Sequence, residues 1–65
     1  MEITINDVEI IENRIENHIK MTIDHKSWYT NSKNTGMIEF CENEEKIQKK
    51  QLEIVRFFKK QNFNK

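Results

Sequence analysis

The sequence predicts one small α+β domain, residues 1–65, with the element order β-α-β-β-α and two amphipathic helices on a short sheet. Three observations indicate this fold class. Two short segments alternate apolar and polar residues, an Asn-, Ser- and Gly-containing segment separates two candidate strands, and two longer segments carry apolar residues at helical spacing. The same patterns leave open a mostly α-helical protein in which residues 22–40 are irregular.

The first twenty residues predict a strand followed by a helix. Met1–Ile5 alternates apolar and polar side chains, as a half-buried strand does. Asn6 or Asp7 is a suitable N-cap, because either side chain accepts a hydrogen bond from a backbone N–H of the first helical turn. A helix over about Asp7–Lys20 follows. Its apolar stripe consists of Val8, Ile11, Ile15 and Ile19.

The middle of the chain predicts a hairpin of two strands with a long loop. Lys26–Thr30, which contains Trp28 and Tyr29, is the first candidate strand, and the alternating segment Met37–Cys41 is the second. Asn31–Gly36 between them is a turn by composition, because Asn and Ser form local hydrogen bonds and Gly adopts positive φ.

A second helix is predicted over about Glu44–Gln61, with Asn43 as its N-cap. Its acidic first turn and basic last turn both suit the helix dipole. Packing on one sheet needs an apolar stripe only somewhat wider than ~100°. The apolar residues of this helix cover more than half of its circumference. We therefore expect either Leu52 or Phe57 to lie outside the core, and Trp28 to be at least partly buried. The arc consists of Ile47, Leu52, Ile54, Val55, Phe57 and Phe58.

Charge is divided unevenly along a chain whose formal net charge is zero. Residues 1–45 carry a net charge of −6 and residues 46–65 carry +6. One end of the molecule could therefore attract a basic surface and the other an acidic one. Residues with AT-rich codons (Ile, Lys, Asn, Phe, Tyr and Met) number 35, against three for Gly, Ala, Arg and Pro together. This bias is typical of short genes of phages and mobile elements in low-GC bacteria.

Cysteine usage and hydropathy indicate a cytoplasmic protein. Cys41 is the single cysteine, so a disulfide within the chain is excluded, and a lone thiol is typical of a reducing compartment. No apolar run approaches the ~18 residues of a membrane span.

The residues predict no enzyme, no metal site and no cofactor. Gly36 is the single glycine, so the chain lacks the Gly-rich loop with which backbone N–H groups cradle phosphates. Cys41 with His18 or His25 could supply a nucleophile and a base, but a lone Cys at the end of a strand is usually a small buried apolar residue. The spacing of these three residues and Asp24 also differs from the paired ligands of structural zinc sites. We expect no small-molecule substrate.

The favoured function is a small protein-binding module that inhibits or regulates a larger host or phage protein, of the anti-defence or anti-CRISPR type. Exposed aromatic and large apolar residues are the usual anchors of protein interfaces, and an acidic surface can mimic nucleic acid in a basic groove. The predicted protein-binding residues are Trp28, Tyr29, Leu52, Phe57, Glu9, Glu12 and Glu16.

The alternative function is a homodimeric nucleic-acid-binding regulator that uses the basic C-terminal helix. Lysine and arginine side chains on one helix face neutralise phosphates without reading sequence. The predicted contacts are Lys46, Lys49, Arg56 and Lys60. We expect the chain to self-associate or to bind a partner through the last helix, because a chain of this size buries only about 60% of the surface that its unfolded form exposes and the last helix has apolar residues to spare.

Overall fold

The computed structural model describes residues 2–63, which form two helices and no strand. Helix α1 spans Ile5–Asn31 and helix α2 spans Thr35–Phe63. Residues 32–34 join them, and the helices lie side by side in opposite directions, as shown by the hydrogen bonds that Arg56 of α2 donates to Glu12 and Glu16 of α1. The hairpin measures 47 × 20 × 15 Å.

The predicted α+β layer is wrong, and the fold is an α-helical hairpin. Within residues 2–63 the strand predicted at the N-terminus is replaced by a short lead into α1, while Met1 lies outside the described residues. Thr4, rather than Asn6 or Asp7, is the N-cap: its Oγ1 accepts a hydrogen bond from the Asp7 N–H, and the Asp7 carboxylate accepts one from the Thr4 N–H. This reciprocal capping box fixes the start of α1.

The other two predicted strands are also helical, and in each the half-buried side chains follow helical rather than alternating spacing. In Lys26–Thr30, the half-buried side chains are Lys26 and Tyr29, which are three residues apart and on one helix face, whereas Trp28 points outward. In Met37–Cys41, the side chains of Met37 and Cys41 are four apart and face α1, while Phe40 is exposed. A segment of five residues fits both the two-residue period of a strand and the 3.6-residue period of a helix. No Pro interrupts either helix.

The helices meet along a seam whose residues are spaced alternately four and three apart, the heptad pattern of antiparallel helix pairs. The seam mixes apolar and polar side chains. Within residues 2–63 only Val8, Cys41 and Leu52 are buried. Ile11, which was predicted on the core stripe, is 47% exposed, because the neighbouring Glu12 occupies the seam position. The seam consists of Val8, Glu12, Ile15, Ile19, Thr22, Lys26 and Tyr29 in α1, and Cys41, Glu45, Gln48, Leu52, Val55 and Lys59 in α2.

A polar pair occupies the middle of the seam. The Thr22 hydroxyl lies 2.9 Å from Gln48 Oε1 on α2 and 2.9 Å from the carbonyl oxygen of His18 on its own helix, so it can donate to either acceptor. A polar pair at a seam position favours one register of two helices over others at some expense in stability. Gln48 and Thr22 therefore help to set how α2 lies along α1.

The connection between the helices is a Schellman turn that is built without glycine. The N–H of Asn34 donates to the carbonyl of Tyr29, and that of Lys33 donates to the carbonyl of Thr30. The Asn34 Oδ1 then accepts from the N–H of Met37 and caps α2. The turn predicted within Asn31–Gly36 is confirmed in position, but Lys33 has the positive φ of 56°, whereas Gly36 lies inside α2.

Lys33→Gly is expected to stabilise the hairpin by about 1 kcal/mol, because the left-handed conformation costs an L-residue ~1–2 kcal/mol and glycine loses part of that gain to backbone entropy. The midpoint of thermal unfolding should rise by roughly 4–8 °C. Lys33→Ala is the matched control, since it removes the same side chain but keeps the Cβ. If the alanine and glycine variants unfold at the same temperature, Lys33 is not strained.

Candidate protein-interaction surface

One flank of the hairpin carries an ion-pair network between the acidic start of α1 and the basic end of α2. Arg56 bridges two carboxylates, with Nε 3.1 Å from Glu12 Oε2 and a terminal nitrogen 2.9 Å from Glu16 Oε1. Lys59 Nζ lies 3.3 Å from Glu12 and 3.8 Å from Glu9. The opposite charges of the two chain segments are therefore brought together within one molecule.

Glu12 is the centre of this network. Its side chain is only 16% exposed, and its pKa lies below the ordinary 4.5, chiefly because Arg56 donates to the carboxylate and also because Lys59 does. A carboxylate with a lowered pKa in the folded state contributes stability that is present above its ordinary pKa and is lost as the pH falls through the lowered value. The hydrogen bonds from Arg56 to Glu12 and Glu16 likewise raise the pKa of Arg56.

The acidic and basic residues predicted as binding sites lie largely on this flank. Glu9, Glu12 and Glu16 all contact Arg56 or Lys59. The network therefore reduces the negative charge that α1 presents to a partner.

The predicted basic surface is partly engaged as well. Arg56 is held by Glu12 and Glu16, and Lys49 lies 3.5 Å from Glu45. Lys46 and Lys49 line an open groove of about 780 Å³ together with two further lysines, whereas Lys60 lines a neighbouring groove. The charged residues lining the first groove are Glu16, Lys20, Lys46, Lys49, Lys50, Glu53 and Arg56.

The outer side of α2 exposes four large apolar side chains, which we call the outer stripe. Phe40, Ile47 and Ile54 recur every seven residues and so lie on one helix face, and Phe57 lies within one turn of Ile54. Their exposures are 55%, 53%, 60% and 65% in that order. Large apolar side chains that share one face of a helix, rather than being scattered singly around it, indicate an interaction site.

An apolar cleft adjoins the stripe at the open end of the hairpin. The cleft has a volume of about 240 Å³ and includes Ile54 of the stripe, so that the two features form one continuous surface. Ile3, in the segment before α1, and Ile11 of α1 are both about half exposed and form its other wall. The cleft is lined by Ile3, Val8, Ile11, Ile54, Val55 and Phe58.

The predicted aromatic and apolar anchors separate into different environments. Phe57 is 65% exposed and Leu52 is buried in the seam, so the expectation that one of the two lies outside the core is confirmed. Trp28, which was expected to be at least partly buried, is instead 64% exposed, with its ring edge-on to that of the half-buried Tyr29 at a centroid distance of 4.9 Å. Trp28 therefore projects from the end of α1 rather than from a sheet.

Sequence reasoning misses three of the four stripe residues as an interaction surface. The sequence patterns place Phe40 in a strand, and they count Ile47 and Ile54 among residues that pack on a sheet. The seven-residue interval between them is the signal that identifies the stripe, because it places three apolar residues on one face of a continuous helix.

Residues that could support other chemistry are dispersed. Cys41 is buried in the seam, whereas His18 and His25 are exposed on α1. Among residues 2–63, no three His, Cys, Asp or Glu side chains form a group suited to a metal ion. Neither described helix contains an apolar stretch that could cross a membrane.

No protein-family model, curated protein or solved structure matches the chain.

Proposed function

We propose that this chain is a non-enzymatic protein-interaction module whose contact surface is the outer stripe of α2. The observation that carries the proposal is the exposure of Phe40, Ile47, Ile54 and Phe57, each more than half accessible, on one face of one helix. Phenylalanine and isoleucine side chains in such a row provide the desolvated centre that most protein interfaces need.

The hairpin's own packing supports an intermolecular role for this surface. A single seam contacts only one side of each helix, and the seam itself contains charged residues such as Glu12 and Lys59. The outer stripe lies outside that seam, so apolar area that α1 leaves uncovered becomes available to another polypeptide. An amphipathic helix offered in this way can dock into a groove or against another helix.

The partner class that the sequence predicts is a larger host or phage protein, which the chain inhibits or regulates by occupying its surface. The AT-rich coding bias and the small size support this assignment, as does the presence of a single thiol. Acidic mimicry of nucleic acid has less support, because Glu12 and Glu16 are engaged by Arg56.

Nucleic acid is the second candidate ligand. It is favoured by the four lysines that line the open groove of about 780 Å³ described above. Lys20, Lys46, Lys49 and Lys50 all line it, and such a cluster attracts phosphates. Arg56 supports this role less, since two carboxylates already hold it.

Site-specific photo-cross-linking in the native cells tests the proposal. A benzophenone amino acid is placed at position 40, 47, 54 or 57 of the outer stripe. The matched control position is Ile10, which is 46% exposed on α1 and is not part of the stripe. We expect discrete protein adducts from the stripe positions and none from position 10.

The masses of the adducts identify the class of partner. An adduct much heavier than twice the 8.0 kDa of one chain indicates a larger protein, and a nuclease-sensitive adduct indicates nucleic acid. If the four stripe positions give no more protein adduct than position 10, the proposed function is wrong.

A further inference from the structure

We infer that the outer stripe is covered by a second copy of this chain, with the two α2 helices antiparallel about a two-fold axis near residues 48–50. The inference rests on the proposed function, since it concerns the same contact surface, but it assigns that surface to a second copy instead of a larger host or phage protein. It follows from the order of apolar and charged residues along α2, which is complementary to itself when reversed.

The apolar residues match in this arrangement. Reversing α2 about its middle places Phe40 opposite Phe57 of the second copy, and the two-fold axis repeats the contact at the other end. Ile47 then faces Lys50, whose aliphatic stem can cover it while the ammonium group reaches water. Ile54 faces Asn43. The contact would extend about 30 Å along the helix axis.

The charged residues match in the same register. Glu39, Lys46, Glu53 and Lys60 recur every seven residues along one edge of the stripe, with alternating sign, and all four are exposed. The reversal that pairs Phe40 with Phe57 leaves Glu39 and Lys60 of the second copy offset by two residues, about 3 Å along the helix axis, and Lys46 and Glu53 by the same amount. Lys and Glu side chains are long enough to span this offset, so the apolar and the charged residues are compatible with one alignment.

The four charges are not used in ion pairs within the described hairpin. No ion pair among residues 2–63 includes Glu39, Lys46, Glu53 or Lys60, whereas charges nearer to α1, such as Arg56 and Lys59, are paired with it. A parallel two-fold pairing would place this edge of one helix on the opposite side of the interface from the same edge of the other, so these charges could not pair with one another. A two-fold antiparallel interface satisfies all of them.

Charge-reversal variants test the interface by sedimentation equilibrium. Lys46→Glu places two carboxylates together at each of the two symmetry-related contacts between positions 46 and 53, and Glu53→Lys places two ammonium groups there. Each single variant should weaken dimerisation about tenfold or more. A 1:1 mixture of the two variants should recover the dimer, because in a mixed dimer each carboxylate at positions 46 and 53 faces an ammonium group of the other chain. The double variant should recover it on its own.

The mixture separates an interface effect from a folding defect, since mixing leaves each chain's own helix unchanged. Circular dichroism of each single variant checks that the helix content is retained. A wild-type chain that remains at 8.0 kDa throughout the micromolar range, or a mixture that associates no more than its components, would overturn the dimer. If stripe positions still cross-link to a larger protein in that case, the dimer fails and the proposed function stands.

Discussion

Leu52→Ala is expected to lower the free energy of unfolding by about 2–5 kcal/mol, since it removes a large buried side chain from the seam. Leu52 is 9% exposed and is one of three buried apolar side chains in residues 2–63. A chain of this size has a core that supplies only ~3–5 kcal/mol, so most of the folded population should be lost. Urea unfolding followed by circular dichroism at 222 nm measures the change.

Ile54→Ala is the matched control for Leu52→Ala, because it shortens another aliphatic residue only two positions along α2. Ile54 is 60% exposed, so at a concentration where the chain is monomeric the loss should be about 0.5 kcal/mol. The same variant should weaken association through the outer stripe. Equal destabilisation by the two substitutions would contradict the division of α2 into a seam side and an outer side.

Gln48→Leu is expected to stabilise the hairpin by about 1–2 kcal/mol, since it replaces a half-buried amide in the seam with an apolar side chain. The change leaves no donor without a partner, because the Thr22 hydroxyl keeps the carbonyl of His18 as its acceptor at 2.9 Å. Urea unfolding of the variant and of the wild type gives the difference.

Thr22→Val, which changes the other member of the polar pair, is the control for Gln48→Leu. It removes the hydroxyl but leaves the Gln48 amide in the seam, so we expect it to be destabilising by about 1 kcal/mol. Opposite signs for the two variants would show that the polar pair is retained at some expense in stability, as seam residues that fix register are. A loss of stability in Gln48→Leu would mean that the amide makes a net favourable contribution.

The pattern of residues predicts the structural features that depend on local sequence, namely the central parts of both helices and the turn between them. The predicted helices Asp7–Lys20 and Glu44–Gln61 both lie within the observed ones, and the turn lies within residues 31–36. Helical spacing of apolar residues and a run of Asn and Ser are local signals, so these features could be predicted without knowing what packs against them. The apolar excess of α2 was also evident from the sequence.

Tertiary structure decided whether residues 21–30 and 37–43 are helical. The seam positions after Ile19 are Thr22 and Lys26, which break the apolar periodicity. Their partners, Gln48 and Glu42, lie on the other helix, so only the hairpin shows why polar residues belong there. The same holds for Leu52 and Phe57, since the sequence indicated that one of them is outside, but the position of α1 determined which. A short alternating segment has no fixed structure until a neighbouring helix covers one of its faces.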